Sequence, residues 1–406
     1  MRYKLKEIFE LQMGKTPSRH NSSYWNTGDY KWISIADLSN VGKYISETKE
    51  TISESAVIES GIKIIPANTV VMSFKLSIGK TAITAEDMYS NEAIMAFHDK
   101  KIVELLPEYI YYLFKFKDWN VGSNKAVMGK TLNKATLAEM EIEIHTIEEQ
   151  KEIIKVLDQI SNIIANRKQE LIQLDNLIQA RFVEMFGNPI LNSMKWNKKS
   201  LKDVCTKLND GTHFSPESFE VGEYKYVTAK NIKLSGFDFS NITYVSEEVH
   251  RPIFERCNPE YEDVLYIKDG ATTGIAMVNT LKEEFTLLSS VALLKQDRKI
   301  MNGYFLTALL NNEDMYTDIR NKMGGAAITR LTIAKLNAIK VMVPPIDLQN
   351  QFATFVHQVN KSKFVIHKFL YCTTHNTKSI IKPRLNTKES GKNKGRETTC
   401  RRILTF

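Results

Sequence analysis

The most regular pattern of apolar positions lies in a long segment without glycine or proline between Thr146 and Phe186. Apolar residues recur there in steps of four and three, which is the heptad spacing of a coiled-coil helix. Thr146 and Glu149 have the spacing of a capping box, and Gly187 with Pro189 ends the helix. At about 1.5 Å per residue the helix would be on the order of 60 Å long. Such a helix cannot bury its apolar stripe within one small domain, so we expect a partner helix.

A second heptad pattern supplies this partner about 199 residues further along the chain. It stops after Leu370, where a Thr- and Lys-rich sequence begins, so the pattern predicts a shortened second helix over 346–370 and a basic, disordered tail over 371–406. We call the predicted apolar stripe of the two helices the seam. Its members are Ile153, Leu157, Ile160, Ile164, Leu171, Leu174, Ile178, Phe352, Val356, Val359, Ile366 and Leu370.

The segments that precede the two helices also resemble each other. "KWISIADL" at 31–38 returns as "KYVTAKNI" at 225–232, and further pairs of similar segments follow in the same order at an offset between 194 and 199. Alternating apolar runs bounded by turn residues predict strands, and "PEYIYYLFKF" predicts a helix. The fold class predicted is α+β, with two similar mixed α/β domains separated by long helices that pair as an antiparallel coiled coil. The predicted boundaries are 1–146 for the first domain, 147–187 for the first helix, 188–198 for a linker and 199–345 for the second domain.

Composition changes this interpretation little. The formal net charge is +8 and the pI is about 9.0, but most of the excess positive charge lies in residues 371–406, so charge alone does not indicate nucleic-acid binding. The four cysteines form no CxxC pair, which favours a reducing compartment. The sequence contains no apolar run of transmembrane length. We therefore expect a cytoplasmic protein with no membrane association.

Candidate catalytic chemistry is weak throughout the sequence. Three "GKT" triplets occur, but each lacks the earlier glycine of a phosphate-binding loop. The sequence shows no convincing methyltransferase or nuclease motif, and "CTTH" at 372–375 has no regular metal-ligand spacing. We therefore predict that the protein is not an enzyme and that it has no catalytic residue, cofactor or metal ion.

Several motifs together carry a family resemblance. "GKTPS" followed by "GDYKWISIADL" resembles the start of a target-recognition domain, and "DGTHFSP" with "YKYVTAKNI" resembles a second version of it. "VPPIDLQNQF" is similar to the start of a conserved helix, and "ARFVEMFGNP" to the junction between the first helix and the second domain. Over about residues 1–370 the chain resembles the DNA-specificity subunits of type I restriction–modification systems. It departs from them in the missing prolines of "HTIEEQ" and in the shortened second helix.

The resemblance implies a non-catalytic subunit that binds double-stranded DNA at a bipartite, asymmetric target. It also implies two modification (DNA adenine methyltransferase) subunits and, in the full complex, endonuclease/translocase subunits, whose adenine methylation and cleavage this chain would direct. A short second helix would leave the start of the first helix uncovered, so self-association is a further expectation. The alternative is a coiled-coil scaffold or regulator with repeated binding domains outside any restriction system. An adenine methyltransferase gene beside this one would favour the first interpretation.

Candidate DNA contacts are polar and basic residues of the loops in which the two domains differ, because such side chains bind phosphates and base edges. Trp32 and Tyr226, which are shared by the two domains, are predicted to be core residues instead. The candidates are Lys15, Thr16, Ser18, Lys75, Ser77, Lys80, Lys125 and Lys130 in the first domain, and Thr212, His213, Lys230, Asn231, Lys268, Thr272, Thr273 and Arg330 in the second.

Overall fold

The chain forms two compact units in a computed structural model that describes residues 1–75, 77–119, 132–323 and 330–385. Unit 1 comprises Met1–Asn166 together with Phe369–Phe406, and unit 2 comprises Arg167–Lys368. Both boundaries fall inside long helices. Each unit therefore contains one α/β domain, which we call module 1 (residues 1–146) or module 2 (residues 199–345), and a part of each long helix.

Unit 1 contains the elements of module 1 and the beginning of the first long helix. They are β1 (Arg2–Lys4), α1 (Leu5–Ile8), β2 (Phe9–Met13), β3 (Trp25–Ile33), α2 (Ile35–Asn40), β4 (Tyr44–Ile45), β5 (Glu50–Ile52), α3 (Glu54–Ser60), β6 (Val70–Ser73), β7 (Thr81–Thr84), β8 (Tyr89–Ser90), β9 (Ile94–Asp99), α4 (Pro107–Phe116), α5 (Lys134–Ala138), β10 (Glu141–Glu143) and α6 (Ile147–Phe186).

Module 1 is built around a five-stranded sheet of order β2-β9-β6-β7-β4 and a three-stranded sheet of order β5-β3-β8. Strand β1 pairs with β10, which closes the module just before the long helix begins. Helix α4 packs its aromatic side chains into the same core as the larger sheet. Phe114 lies with its ring centroid 4.7 Å from that of Phe97, and both side chains are buried. Burial of aromatic area of this size is a main source of the module's stability.

Unit 2 contains the end of α6, module 2 and the first part of the second long helix. Its further elements are β11 (Lys198–Ser200), α7 (Leu201–Val204), β12 (Cys205–Asp210), β13 (Tyr224–Val227), β14 (Ile232–Lys233), β15 (Gly236–Phe237), β16 (Thr243–Val245), α8 (Glu247–Arg256), β17 (Val264–Ile267), β18 (Ala276–Val278), β19 (Phe285–Leu287), β20 (Val291–Gln296), α9 (Gly303–Leu310), α10 (Glu313–Asn321), α11 (Ile333–Ala338), β21 (Lys340–Met342) and α12 (Ile346–Leu385).

The predicted repeat is confirmed strand by strand. The order β12-β20-β17-β18 in module 2 matches β2-β9-β6-β7 in module 1, and β16-β13-β19 matches β5-β3-β8. In both three-stranded sheets the central strand pairs in parallel with the last one, Trp32 with Tyr89 and Tyr226 with Thr286. Trp32 and Tyr226 are both buried, as expected of core residues. Only the first three residues of each octapeptide lie in the central strand of the smaller sheet, and most of the remainder lies in α2 in module 1 and in a 3-10 turn in module 2. The prediction of a strand over the whole octapeptide is therefore wrong beyond Ile33 and Val227.

The first long helix begins and ends at the residues indicated by its caps. The Thr146 backbone N–H donates to a Glu149 carboxylate oxygen at 2.9 Å, and the Glu149 N–H donates to Thr146 Oγ1 at 3.3 Å. At the other end the Gly187 N–H donates to the carbonyl of Val183 at 2.8 Å. Gly187 has φ of 75°, a conformation that favours glycine. The predicted capping box and helix stop are both confirmed.

A glutamine in the first turn of each long helix ties that helix to its module. Gln150 accepts a hydrogen bond from the Leu106 N–H at 3.0 Å and donates to the carbonyls of Glu104 and His145 at 2.9 and 3.0 Å. Its counterpart Gln349 accepts from the Asn302 N–H at 2.9 Å. Gln349 also donates to the carbonyls of Ile300 and Pro344 at 3.0 and 2.8 Å. Both glutamines are fully buried, so each one satisfies three backbone groups that water does not reach.

The second long helix is not shortened. Helix α12 runs from Ile346 to Leu385 and is as long as α6, so the predicted end at Leu370 is wrong. The error has a physical reason. Loss of the heptad pattern removes a packing stripe, but between Tyr371 and Lys382 the sequence contains neither glycine nor proline to end a helix. The residues from 386 onward, which include the rest of the predicted tail, lie outside the described part of the chain.

The argument for self-association loses its premise as well. It assumed a short second helix and an uncovered start of the first helix. Leu157 is buried in the core of module 1, and Ile153, Ile154 and Ile160 pack against that core. The start of α6 is therefore covered by its own module.

In unit 2 the two long helices pack against each other in antiparallel orientation. The Phe352 ring centroid lies 5.7 Å from that of Phe182 and 5.6 Å from that of Phe186. Further along, Lys363 Nζ donates to Asp175 Oδ1 at 2.5 Å. Residues later in α12 thus contact residues earlier in α6, as expected of an antiparallel pair.

The seam positions follow this packing. Lys363, a polar residue at heptad spacing between Val359 and Ile366, is only 8% exposed. Among the predicted seam residues, Leu157, Phe352, Val356, Val359 and Ile366 are buried, and Ile153, Ile160, Ile164, Leu171, Leu174, Ile178 and Leu370 are half-buried. In the described residues, no helix is long and apolar enough to cross a membrane.

Candidate nucleic-acid interface

A glycine lies at the beginning of the first variable loop in both modules. A Cβ atom on Gly14 would lie 2.3 Å from the backbone oxygens of Ser90 and Asn91, and one on Gly211 would lie 1.9 Å from the backbone oxygen of Leu287. Both distances are far inside van der Waals contact, so only glycine fits. Because of this close approach, the loop after β2 begins beside β8, and the loop after β12 begins beside β19. Strands β8 and β19 are edge strands of the two smaller sheets.

The first-loop candidates of module 1 lie beside this glycine. The Lys15 side chain is exposed and its ammonium donates to the carbonyl of Ser60. The Thr16 hydroxyl donates to the Glu92 carboxylate, and this hydrogen bond lowers the pKa of Glu92. Ser18 is exposed. Lys15 and Thr16 are both hydrogen-bonded to other segments of the module, and Lys15 and Ser18 are exposed to solvent.

The second group of module 1 candidates follows β6. Lys75 is half-buried, with its ammonium 5.4 Å from the ring centroid of Phe74. Ser77 is exposed, and Lys80 is half-buried with its ammonium donating to Ser39 Oγ at 2.5 Å. Lys125 and Lys130 lie outside the described residues.

Arg19 belongs to the module 1 surface although the sequence did not single it out. Its guanidinium lies 3.6 Å from the ring centroid of Trp25 and donates to both carboxylate oxygens of Glu50, at 2.5 and 3.0 Å. These bonds hold the pKa of Glu50 below its usual range. Nothing in its spacing distinguishes Arg19 from a solvated surface residue, since its partners come from elsewhere in the chain.

Three candidates of module 2 are buried and hold turns together. Asn231 Oδ1 accepts from the Thr228 N–H at 2.9 Å, and Thr273 Oγ1 donates to the Gly270 carbonyl at 2.6 Å. Thr212 is 2% exposed and forms an isolated bridge with Leu288. Burial leaves these side chains unable to contact bases, so they position the loops instead.

The remaining module 2 candidates are exposed except for one. His213, Lys230, Thr272 and Arg330 present their side chains to solvent. Lys268, in contrast, is 2% exposed, and its ammonium lies 2.8 Å from Asp269 and 3.3 Å from Asp210. A phosphate could not reach this ammonium without breaking the two ion pairs, so the structure argues against the contact role expected of Lys268.

The exposed candidates of both modules carry hydroxyl, imidazole, ammonium and guanidinium groups, which suit phosphate and base-edge contacts. The described residues contain no group of three or more side chains that could hold a metal ion. Burial raises the pKa of the Cys205 and Cys257 thiols to about 12, so neither is a reactive nucleophile. The exposed candidates thus present groups that can form hydrogen bonds with a phosphate.

Comparison with known proteins agrees with this chemistry. The model of the family described as type I restriction modification DNA specificity domain matches residues 1–176 and 194–370. The type I restriction enzyme MjaIX specificity subunit of Methanocaldococcus jannaschii is 26% identical over 378 residues, which make up 87% of this chain and 85% of the relative. The EcoprrI specificity subunit of Escherichia coli is 23% identical over 386 residues, with the same two coverages.

Solved structures share the fold. The S subunit of a type I restriction-modification system from M. genitalium has a TM-score of 0.51 at 14% identity and covers 95% of both chains. A chain from a structure on complex assembly and conformational transition of the type I R-M system has a TM-score of 0.57 at 14% identity. It covers 95% of this chain and 97% of that chain. At this level of identity the likeness shows the fold alone.

Proposed function

The chain belongs to the type I restriction–modification DNA specificity family, whose model matches both of its halves, and we propose that it binds one bipartite, asymmetric DNA target. As a specificity subunit it recognises DNA and is not itself an enzyme. Each module would contact one half of the target, and the bases between the two halves would not be contacted.

The observation that carries this proposal is the combination of matched frameworks with different loops. Strand order and pairing agree between the modules, while the loops after β2 and β12 have unrelated sequences, "GKTPSRHNSSYW" against "DGTHFSPESF". Two copies of one framework present similar surfaces to DNA, and different side chains on those surfaces select different bases. An asymmetric split target follows from this combination.

Family membership also supports the proposed partners. Two DNA adenine methyltransferase subunits would bind the chain and methylate the target, and endonuclease/translocase subunits would join them for cleavage in the cytoplasm. A scaffold outside any restriction system is not favoured, because the family match covers most of the chain.

The test is an exchange of one module. Residues 1–146 are replaced by module 1 of another family member, and the chimera is produced with its modification subunits in a host without other adenine methylation. Methylome sequencing should show a split motif in which only one half has changed. The exchange ends just before Ile147, so α6 is identical in the chimera and in the parent.

The matching exchange of residues 199–345 serves as the control, and it should change only the other half. A change of both halves after either exchange would contradict separate recognition by the modules. A parent chain that directs methylation to no split motif would overturn the proposed function itself.

A further inference from the structure

The buried Lys268 lies where the loops of module 2 meet. Its ammonium contacts Asp210, the last residue of β12, and Asp269, which follows Lys268 in the chain. Its own backbone N–H donates to the carbonyl of Ser290 at 2.9 Å, and its carbonyl accepts from the Leu331 N–H at 2.8 Å. One side chain and its backbone thus connect four segments that are distant in sequence.

Two arginines extend from this ion-pair cluster to the surface. Arg256, the last residue of α8, lies 3.6 Å from Asp210 and donates to the carbonyl of Gly211. Arg330 lies 3.3 Å from Asp269. Their side chains are 47% and 61% exposed, whereas the two aspartates are 7% and 21% exposed. The arginines therefore form the solvent side of the cluster and the carboxylates form its inner side.

The charges of the cluster do not balance. Lys268, Arg256 and Arg330 carry three positive charges, and Asp210 and Asp269 carry two negative ones. His213, with Nε2 3.1 Å from Asp210 Oδ1, adds no negative charge. An excess positive charge beside an inner carboxylate suits an anion such as a DNA phosphate, which arginine binds through two parallel hydrogen bonds.

Among the described residues of module 1, no such cluster occupies the equivalent place. Strand β2 ends at Met13 where β12 ends at Asp210, and β6 is followed by Phe74 where β17 is followed by Lys268. Phe74 is 1% exposed, so the module 1 framework fills this position with an apolar side chain. The common fold therefore does not require buried charges here, and their presence in module 2 calls for a separate role.

We propose that Arg256 and Arg330 bind DNA phosphates for module 2, and that the buried Lys268 is the positioning residue that holds the aspartates and loops in place for them. The proposal rests on the proposed DNA-binding function and assigns residues to it. In the free protein the aspartates hold the two guanidinium groups in a defined position. On binding, the phosphates take over the outward-facing N–H groups while Lys268 keeps neutralising the carboxylates.

The test measures DNA affinity of the complex with its modification subunits across a series of salt concentrations. Arg256→Ala and Arg330→Ala should each weaken binding to every sequence and lower the slope of log K against log salt by about 0.9, the value for one lost phosphate contact on duplex DNA. Lys268→Met should leave the slope unchanged, because the side chain touches no phosphate. It should relax the base preference of the module 2 half-site only.

Two further variants keep the outcome interpretable. Arg298→Ala is the matched control, since Arg298 is 55% exposed and pairs with Glu262 and Asp263. These two carboxylates precede the first residue of β17, whereas Lys268 follows its last residue. It should leave both slope and motif unchanged. If Lys268→Met does not fold, the double change Asp210→Met with Lys268→Phe installs the module 1 residues and should show the same relaxed half-site.

The results separate this inference from the proposed function. A wild-type complex that binds no split target overturns the proposed function. Normal binding by wild type together with unchanged slopes for Arg256→Ala and Arg330→Ala overturns only the phosphate assignment. A slope lowered by Lys268→Met would show that Lys268 itself contacts DNA, and a relaxed half-site for module 1 would show that its effect is not local.

Discussion

The two modules share their strands but differ in how their interiors are filled. Their sheet orders match, and Gln150 and Gln349 make the same three backbone hydrogen bonds. Beside the loops, however, module 1 buries Phe74 where module 2 buries Lys268. A framework can therefore be kept while the chemistry that supports its variable loops changes from apolar packing to ion pairing.

The largest expected difference between the two units is in the stability lost when a buried residue is removed where a long helix attaches to its module. Phe352 is fully buried against Phe182 and Phe186, whereas the equivalent position in α6 is the half-buried Ile153. Phe352→Ala should lower the free energy of unfolding of unit 2 by about 3–5 kcal/mol, because a large buried ring leaves a cavity. Ile153→Ala should cost unit 1 about 1–2 kcal/mol, because less of its area is buried.

Hydrogen exchange followed by mass spectrometry can measure both losses, since peptides from each module report its own opening. Alanine is a good helix former, so neither change weakens the helix itself. Equal losses in the two units would show that Phe352 in its aromatic cluster contributes no more to stability than Ile153 does in module 1.

The paired glutamines should give an intermediate effect of equal size in both modules. Gln150→Ala and Gln349→Ala each leave three backbone groups without a partner, at a cost of about 3 kcal/mol in total. Gln159→Ala and Gln351→Ala are the matched controls, because both glutamines are exposed on the same helices. Chemical denaturation with exchange mapping would measure the losses. A loss at Gln349 no larger than at Gln351 would contradict the anchoring role.

Periodicity predicted the architecture because it is a local property of the chain. Heptad spacing indicated both long helices, and the constant offset indicated two modules with equivalent strands. The continuation of α12 beyond Leu370 was missed because the heptad pattern describes packing, while the end of a helix depends on caps and breakers.

The candidate site was predictable only in part. Loop position and residue type identified exposed side chains such as Lys15, His213 and Arg330. They could not show that Lys268 is buried, since the carboxylate of Asp210 that holds it comes from 58 positions earlier in the sequence. Arg256 was missed for a similar reason, because it lies at the end of a helix and reaches the loops only in the folded chain.

The smallest expected difference is one of pH dependence. His250 is fully buried in module 2, with its ring stacked 3.9 Å from that of Tyr224 and its Nε2 3.2 Å from Glu284. Burial lowers its pKa, against the opposing effect of Glu284. The equivalent residue of module 1, four positions after the N-cap serine of α3, is Val57.

In the folded state His250 binds a proton only at a lower pH than it does in the unfolded chain. Protonation of the unfolded chain therefore lowers the stability of unit 2 as the pH falls below about 6.5, and above that pH this loss is absent. His250→Val should therefore flatten the decline in stability of unit 2 between about pH 7 and pH 5. His98, whose pKa is also lowered by burial in module 1, is present in both proteins and cancels in the difference. Denaturation midpoints at several pH values would measure this, and the slope with pH, rather than the absolute stability, is the quantity that matters. An unchanged slope would mean that Glu284 fully offsets the effect of burial on the pKa of His250, and a steeper decline would mean that Glu284 outweighs burial.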